Sequence, residues 1–121
     1  MRIMDFLSER AISCALKAQT KEGVIREMVQ LLAQAGVVKE REVAKVVEIL
    51  LNREALGSTG IGQGVAIPHG KCNAVNSLVG AFGVSSSGVD FGSLDGGLVH
   101  LFFLLVAPED SAGPHLKALA R

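Results

Sequence analysis

Apolar and polar residues alternate between positions 12 and 18, with Ile12, Cys14, Leu16 and Ala18 at the apolar positions. A period of two residues is that of a β-strand with one buried face, so the pattern predicts a short strand over residues 12–18. Cys14 would then face the core, where a free thiol packs as a small apolar side chain.

The period changes to three and four residues in the next segment, which predicts an amphipathic helix over residues 20–36. Thr20 stands where an N-cap hydroxyl is needed, and Gly36 stands where a helix commonly ends in a left-handed residue. The apolar stripe of this helix consists of Val24, Ile25, Met28, Leu31, Leu32 and Ala35.

A second helix with the same period is predicted over residues 39–57, with Gly57 as its end. Arg53 falls in the last turn, where the helix dipole favours a cation. From its position alone, Arg53 is interpreted as a solvated cation at a helix end. The apolar stripe consists of Val43, Val46, Val47, Leu50 and Leu51.

Two strands are predicted in the second half of the chain, over residues 77–86 and 98–108, with a turn-rich segment 86–97 between them. The later strand is apolar on both faces, which indicates a central strand covered by helices. A final helix is predicted to start at Pro114, and it reaches Arg121 after only about two turns. We therefore expect the native chain to continue beyond Arg121.

The order of these elements is strand, helix, helix, glycine-rich segment, strand, strand and helix. This order predicts an α/β fold with a mixed sheet flanked by helices. A chain of 121 residues is long enough for one such layered domain and too short for two. The expectation is a single domain over residues 1–121 that is truncated in its C-terminal helical region.

Charge and composition exclude several classes of function. Twelve Lys and Arg residues balance twelve Asp and Glu residues without any block of like charge, so nucleic-acid binding is not expected. The longest apolar run, residues 98–107, is too short to insert into a membrane, and the N-terminus lacks the apolar region of a signal peptide. Cys14 and Cys72 do not form a disulfide framework. We expect a cytoplasmic protein in which Cys72 is a packed thiol.

Residues 57–71, GSTGIGQGVAIPHGK, form a glycine-rich stretch. A nucleotide-binding phosphate loop needs a glycine where this chain has Val65, and Ser or Thr where it has Cys72. The histidines are scattered without the spacing of metal ligands, and His100, inside an apolar strand, is interpreted as a core or edge histidine. The sequence therefore predicts no cofactor and no metal.

His69 lies between Pro68 and Gly70, directly after a short apolar segment. Proline fixes its own φ and biases Ile67 towards an extended conformation, while Gly70 permits an unusual turn or a close approach by a partner. If one ring nitrogen is held as a donor, the other is free as a nucleophile, which suits nucleophilic catalysis or phosphoryl carriage. The alternative interpretation is a histidine that caps a turn.

Three segments in order along the chain resemble one protein family: REALGSTGIGQGVAIPHGK (53–71), LFFLLVAPED (101–110) and PHLKALAR (114–121). They are similar to the IIA domains of the bacterial phosphoenolpyruvate-dependent sugar phosphotransferase system. The resemblance is to the mannitol/fructose class and within it to the nitrogen-regulatory branch most of all. It implies the mannitol/fructose-type IIA fold and a phosphotransferase activity, although members of the family continue for several more turns of helix.

The resemblance also implies a site. His69 would accept a phosphoryl group on Nε2 from the phosphocarrier protein HPr or its nitrogen-branch equivalent, so no further cofactor is needed. Arg53 would supply a planar donor fork and His115 a further hydrogen bond. Backbone N–H groups of Gly60, Gly62 and Gly64 and the hydroxyls of Ser58 and Thr59 are candidate phosphoryl ligands, although both hydroxyls also suit simple turn residues. An apolar rim for docking, with each member equally suited to the core, would consist of Leu56, Ile61, Val65 and Ile67.

Three functions follow from the resemblance. The first is a regulatory IIA protein that signals through protein–protein contacts in one phosphorylation state. The second is a fructose- or mannitol-transport IIA component that passes the phosphoryl group to a cysteine on a IIB domain. The third is an interaction module that no longer turns over phosphate, and the presence of His69, Arg53 and His115 argues against it.

Overall fold

A computed structural model describes residues 5–109, in which two helices pack on one face of a six-stranded mixed sheet. His115 and the helix predicted from Pro114 lie outside these residues. The elements in chain order are β1 (Leu7–Ser13), α1 (Lys21–Gln34), a 3-10 turn (Glu40–Glu42), α2 (Val43–Leu56), β2 (Gly60–Gly62), β3 (Val65–Ala66), β4 (His69–Lys71), β5 (Val79–Val89) and β6 (Val99–Ala107).

The strand predicted over 98–108 is β6, and its central position is confirmed. It pairs antiparallel with β5 on one side and parallel with β3 and then β4 on the other. The strand order is β1-β5-β6-β3-β2, with β1 parallel to β5 and β2 antiparallel to β3. Both parallel and antiparallel pairs are present, as the predicted mixed sheet requires.

The side chains of β6 point into two apolar clusters, and only one of them contains residues of the described helices. The face opposite those helices is buried at Leu105 and Ala107 but leaves Leu101 exposed, so the predicted cover by helices holds for one face only. Phe102, Leu104 and Val106 belong to the main core, which also contains the apolar stripes of α1 and α2. On the opposite face, Leu105 and Ala107 belong to a smaller cluster. The remaining members of the smaller cluster are Leu78 and the partly buried Phe6, Ile67 and Phe103.

Both predicted helices are confirmed. Residues close in sequence to each helix determine where it begins or ends. The Thr20 side chain caps α1 by accepting a hydrogen bond of 3.0 Å from Gly23 N. After α1, Gly36 adopts a φ of 79°, the left-handed conformation that glycine tolerates. In α2, Arg53 lies in the last turn as predicted.

The first predicted strand was misplaced. The strand is β1, Leu7–Ser13, and Cys14 is exposed, so the prediction of a buried Cys14 was wrong. Beyond Ser13, Leu16 N still donates to Val84 O of β5 at 2.8 Å, and the Glu27 carboxylate accepts hydrogen bonds from the backbone N–H groups of Lys17 and Ala18. The alternation of apolar residues therefore continues into a loop that is bound to α1.

The glycine-rich stretch supplies β2, β3 and β4. The turn between β2 and β3 is bonded to a side chain from the loop between β5 and β6. Gly62, Gln63 and Gly64 all have positive φ, of 97°, 57° and 77°. The Asp95 carboxylate accepts hydrogen bonds from Gly97 N at 2.9 Å and Gln63 N at 3.0 Å. These hydrogen bonds lower the pKa of Asp95 from its ordinary value of 3.8. The bond from Gly97 has the larger effect, and the bond from Gln63 the next largest.

This lowered pKa predicts a pH-dependent contribution of Asp95 to stability. A carboxyl group with a lower pKa in the folded state stabilises the fold above its unfolded pKa of 3.8 and loses that contribution as the pH falls through the folded pKa. The free energy of unfolding, measured with urea, should therefore be higher for the wild type than for Asp95→Asn at neutral pH. This difference should become smaller in strong acid. An advantage that does not change with pH would contradict the role of the carboxylate.

Candidate functional site

His69 is the first residue of β4, and one of its ring nitrogens is engaged by the backbone. Nδ1 lies 2.8 Å from the carbonyl oxygen of Ile67. Because a carbonyl oxygen only accepts, Nδ1 must carry the hydrogen, and in the neutral ring Nε2 is left with a lone pair. The ring is half-buried. The backbone on its N-terminal side is also fixed, since Leu105 N donates to Pro68 O at 2.9 Å.

A second set of hydrogen bonds ties this segment to the end of α2. Ile67 N donates to Thr59 O at 3.0 Å. The backbone N–H of Thr59 donates to the Glu54 carboxylate at 3.2 Å, and the Thr59 hydroxyl donates to the same group. Glu54 in turn pairs with Lys21 at 3.0 Å. These bonds therefore connect Ile67, two residues before His69, to the end of α2 and the start of α1.

Arg53 lies in the last turn of α2 and is bonded to the residue that follows the helix. Its Nη1 donates to Gly57 O at 2.8 Å. Gly57 lies two residues before Thr59, and His69 lies two residues after Ile67, the antiparallel partner of Thr59. These contacts tie the residues that follow α2 to the segment that precedes His69.

Helix α2 also passes directly over β4, because Gly70 has no side chain. A Cβ at this position would lie 3.2 Å from Ile49 Cγ2 and 3.4 Å from Leu50 Cδ2. Arg53 is one turn further along the helix from Ile49, on the same side. Of the two uses predicted for Gly70, the structure shows a close approach, and the partner is a helix of the same chain.

The hydroxyls of Ser58 and Thr59 are bonded inside the protein. Ser58 Oγ donates to Phe91 O at 2.8 Å and accepts from Gly60 N at 3.0 Å. Thr59 is buried, and its hydroxyl donates to Glu54. Both hydroxyls are therefore bonded to groups of the same chain.

The three glycines predicted as a cradle serve different parts of the hairpin. Gly60 packs against Ser93, where a Cβ would lie 3.0 Å from Ser93 Cα. Gly62 and Gly64 form the turn beyond it. Val65 pairs with Leu101 whereas His69 pairs with Leu105, four residues and about 13 Å further along β6. The structure does not bring Gly62 and Gly64 to His69.

The candidate rim residues are divided between surface and interior. Leu56 and Ile61 are 87% and 58% exposed, whereas Val65 and Ile67 are half-buried. Ile67 packs against the smaller apolar cluster. Only Leu56 and Ile61 therefore offer substantial apolar surface.

Two predictions for residues outside the site are confirmed. His100 is half-buried, and its Nδ1 lies 2.9 Å from Ser85 O, as for a histidine with a structural partner. Cys72 is fully buried, a packed thiol.

Sequence reasoning missed Glu54 and Lys21. Glu54 continues the buried stripe of Val47 and Leu50 at helical spacing, so a carboxylate interrupts an apolar face. That interruption was the available signal, because buried carboxylates are rare unless they are paired. Its partner Lys21 comes from another helix, and the sequence does not indicate that pairing.

A comparison with protein families matches residues 5–121 to the family described as phosphoenolpyruvate-dependent sugar phosphotransferase system, EIIA 2. The chain belongs to this family. It is a phosphotransferase-system IIA domain, as the resemblance in its sequence implied.

Two curated relatives of the EIIA 2 domain carry different names. It is 45% identical over its whole length to the PTS system fructose-specific EIIABC component of Bacillus subtilis and spans 19% of that protein. It is 44% identical, again over its whole length, to a nitrogen regulatory protein of Bradyrhizobium diazoefficiens and spans 77% of it. Sequence identity alone does not separate the two names.

Solved structures show the same fold. The crystal structure of nitrogen regulatory protein IIA-Ntr from Neisseria meningitidis is similar with a TM-score of 0.86 and 39% identity, over 98% of this chain and 79% of that one. The IIA mannitol enzyme of Escherichia coli, in complex with phosphorylated IIB mannitol, is similar with a TM-score of 0.73 and 27% identity, over 93% of this chain and 76% of that one.

Within residues 5–109, no helix is both long and apolar enough to cross a membrane. In the same range, His, Cys, Asp and Glu side chains do not gather in a group of three that could hold a metal ion.

The packing of Gly60 against Ser93 predicts that Gly60→Ala destabilises the EIIA 2 domain. A Cβ at 3.0 Å from a backbone atom forces the hairpin away from the loop after β5, at a cost of about 1–3 kcal/mol. Urea unfolding measures this loss. The control is Ile61→Ala, which changes an exposed side chain on the next residue and should cost less. Equal stability of Gly60→Ala and the wild type would show that the loop moves freely.

Proposed function

We propose that this EIIA 2 domain carries a phosphoryl group on Nε2 of His69. The observation that supports the proposal is the contact of 2.8 Å between Nδ1 and the Ile67 carbonyl oxygen. It gives the ring the tautomer in which Nε2 has the lone pair needed for attack on phosphorus.

The donor is a phosphohistidine protein of the HPr type. In the transfer, the Nε2 lone pair forms a bond to phosphorus, and the bond from phosphorus to the donor nitrogen breaks with its electron pair returning to the donor ring. The proton on Nδ1 stays in its hydrogen bond to Ile67 O, which stabilises the positive charge on the phosphorylated ring. Delivery to an acceptor reverses these steps.

Arg53 neutralises the charge of the transferring group. A guanidinium has five N–H donors, and the described contact to Gly57 O uses only Nη1. Phosphoryl transfer depends on positioning and charge stabilisation, which a planar donor fork provides. His115 is proposed as a further donor on the basis of the family resemblance.

For the physiological role we propose regulation by protein–protein contacts in one phosphorylation state. The greater similarity to the Neisseria IIA-Ntr structure than to the Escherichia coli IIA mannitol structure supports this. The second candidate is a sugar-transport IIA component that donates to a IIB domain. It is favoured by the fructose-specific relative in Bacillus subtilis and by the mannitol IIA–IIB complex.

Incubation with phosphoenolpyruvate, Enzyme I and HPr, or with the nitrogen-branch pair, tests both parts of the proposal. We expect one phosphoryl group per chain, labile in acid because it is bonded to nitrogen. His69→Gln should abolish labelling, whereas His100→Gln should retain it, since His100 is bonded to Ser85 O in the interior. Full labelling of His69→Gln would refute the site.

The choice of carrier separates the two physiological roles. Efficient labelling by the nitrogen-branch pair supports regulation. Labelling by HPr alone, followed by transfer to a fructose or mannitol IIB cysteine, would establish the transport role instead.

Arg53→Ala should slow labelling by about 100-fold, the typical cost of losing one group that stabilises transition-state charge. Arg53→Lys should recover part of the rate, because it keeps the charge and loses the fork. Arg26→Ala, which removes an exposed arginine paired with Glu22, is the control and should label normally. Circular dichroism checks the fold, and loss of folding in Arg53→Ala would show a structural role.

A further inference from the structure

We infer that the partly buried Lys21–Glu54 ion pair is a positioning device for His69, acting through Thr59 and Ile67. The inference rests on the proposed function, since it concerns how the phosphoryl-accepting nitrogen is selected. Neither charged residue is required to touch the phosphoryl group, so both are positioning residues and not catalytic ones.

Glu54 is a buried charge that is fully committed to partners. Its side chain is 3% exposed, and Lys21 at 29% is much less exposed than a surface lysine. The carboxylate accepts from Lys21 Nζ and from both the backbone N–H and the hydroxyl of Thr59. Lys21 Nζ also lies 4.7 Å above the ring of Phe91, which restricts it further.

A buried ion pair is a poor source of stability, because desolvation of both charges offsets their attraction. What the pair does provide here is a fixed position for Thr59. Three donor groups reach the carboxylate from α1 and from the chain after α2, so the pair joins segments that are distant in sequence. Charged groups that are bonded in this way have little freedom to move.

The position of Thr59 is passed to His69 by two further hydrogen bonds. Thr59 O accepts from Ile67 N, and Ile67 O accepts from His69 Nδ1. Between these two bonds there is a single residue, Ile67, whose conformation is restricted by the proline that follows it. A displacement of Thr59 therefore changes where the Ile67 carbonyl points.

The consequence for His69 is a change of tautomer. If the Ile67 carbonyl moves away, nothing described in the structure keeps the proton on Nδ1, and a fraction of molecules will carry it on Nε2. In that fraction Nε2 has no lone pair, so the phosphoryl group is not accepted. The structure thus links an ion pair between two helices to the nucleophilicity of one nitrogen.

Two substitutions at Thr59 that differ in the hydroxyl test the link. Thr59→Val removes the hydroxyl donor to Glu54, whereas Thr59→Ser keeps it. Nitrogen-15 NMR of the unphosphorylated protein under mildly alkaline conditions reports the tautomer of His69 directly. We expect the Nδ1–H form to dominate in the wild type and in Thr59→Ser, and to decrease in Thr59→Val.

Glu54→Gln tests the charge itself, and Glu22→Gln is its control. The amide of glutamine cannot accept from both Thr59 groups and pair with Lys21 at once. Glu22 pairs with Arg26 on the exposed face of α1, so its substitution leaves the described chain of bonds intact. We expect Thr59→Val and Glu54→Gln to lower the initial labelling rate by about tenfold or more, with Glu22→Gln unchanged.

The outcomes are distinct. If Thr59→Val and Glu54→Gln fold and the tautomer is unchanged, the inference is wrong, even if labelling slows. If Glu54→Gln does not fold, Thr59→Val against Thr59→Ser decides the question. If the wild type is not labelled by any carrier, the proposed function fails, while the NMR comparison still shows whether the ion pair controls the tautomer.

Discussion

The bond between His69 Nδ1 and the Ile67 carbonyl oxygen is the constraint on which the proposed chemistry of this IIA domain depends. It joins residues only two apart, yet it exists because both are fixed by distant elements: Ile67 by Thr59, and the strand that begins at His69 by β6. An isolated peptide with this sequence would sample many orientations of the same carbonyl. In the folded domain the carbonyl stays in place, so the proton is held on Nδ1 and the lone pair on Nε2.

The two parts of the glycine-rich stretch pair with different parts of β6 and have different structural roles. One half of β6 receives β3, together with the hairpin to β2, and the other half receives β4. In the hairpin, Gly60 is needed because Ser93 leaves no room for a side chain. Gly62 and Gly64 have positive φ angles, which other residues rarely adopt. Gly70, in β4, allows the close approach of α2. A stretch that is continuous in sequence is thus separated in space by the strand it pairs with.

The elements that the sequence predicted well are those whose determinants are local. Thr20 and Gly36 bound α1 through their own capping geometry, and the apolar run of β6 marks a central strand by itself. The strand near Cys14 was misplaced because β1 ends at Ser13, and the backbone N–H groups of Lys17 and Ala18 donate to the Glu27 carboxylate of α1. His69 was proposed from its local sequence and from the family resemblance, and the role of Arg53 from the resemblance, whereas the Lys21–Glu54 pair was not predicted. A contact between residues 33 positions apart leaves no periodic trace.

The two ends of the strand order leave little backbone on which another strand could pair. At one end, β2 has three residues, and Leu94 N already donates to Gly60 O. At the other, β1 changes register along its length, and Arg10 N bonds to the hydroxyl of Ser8. Open sheet edges are templates for aggregation, and short, interrupted edges suppress it. The three-residue edge of β2 therefore offers little backbone to an added strand.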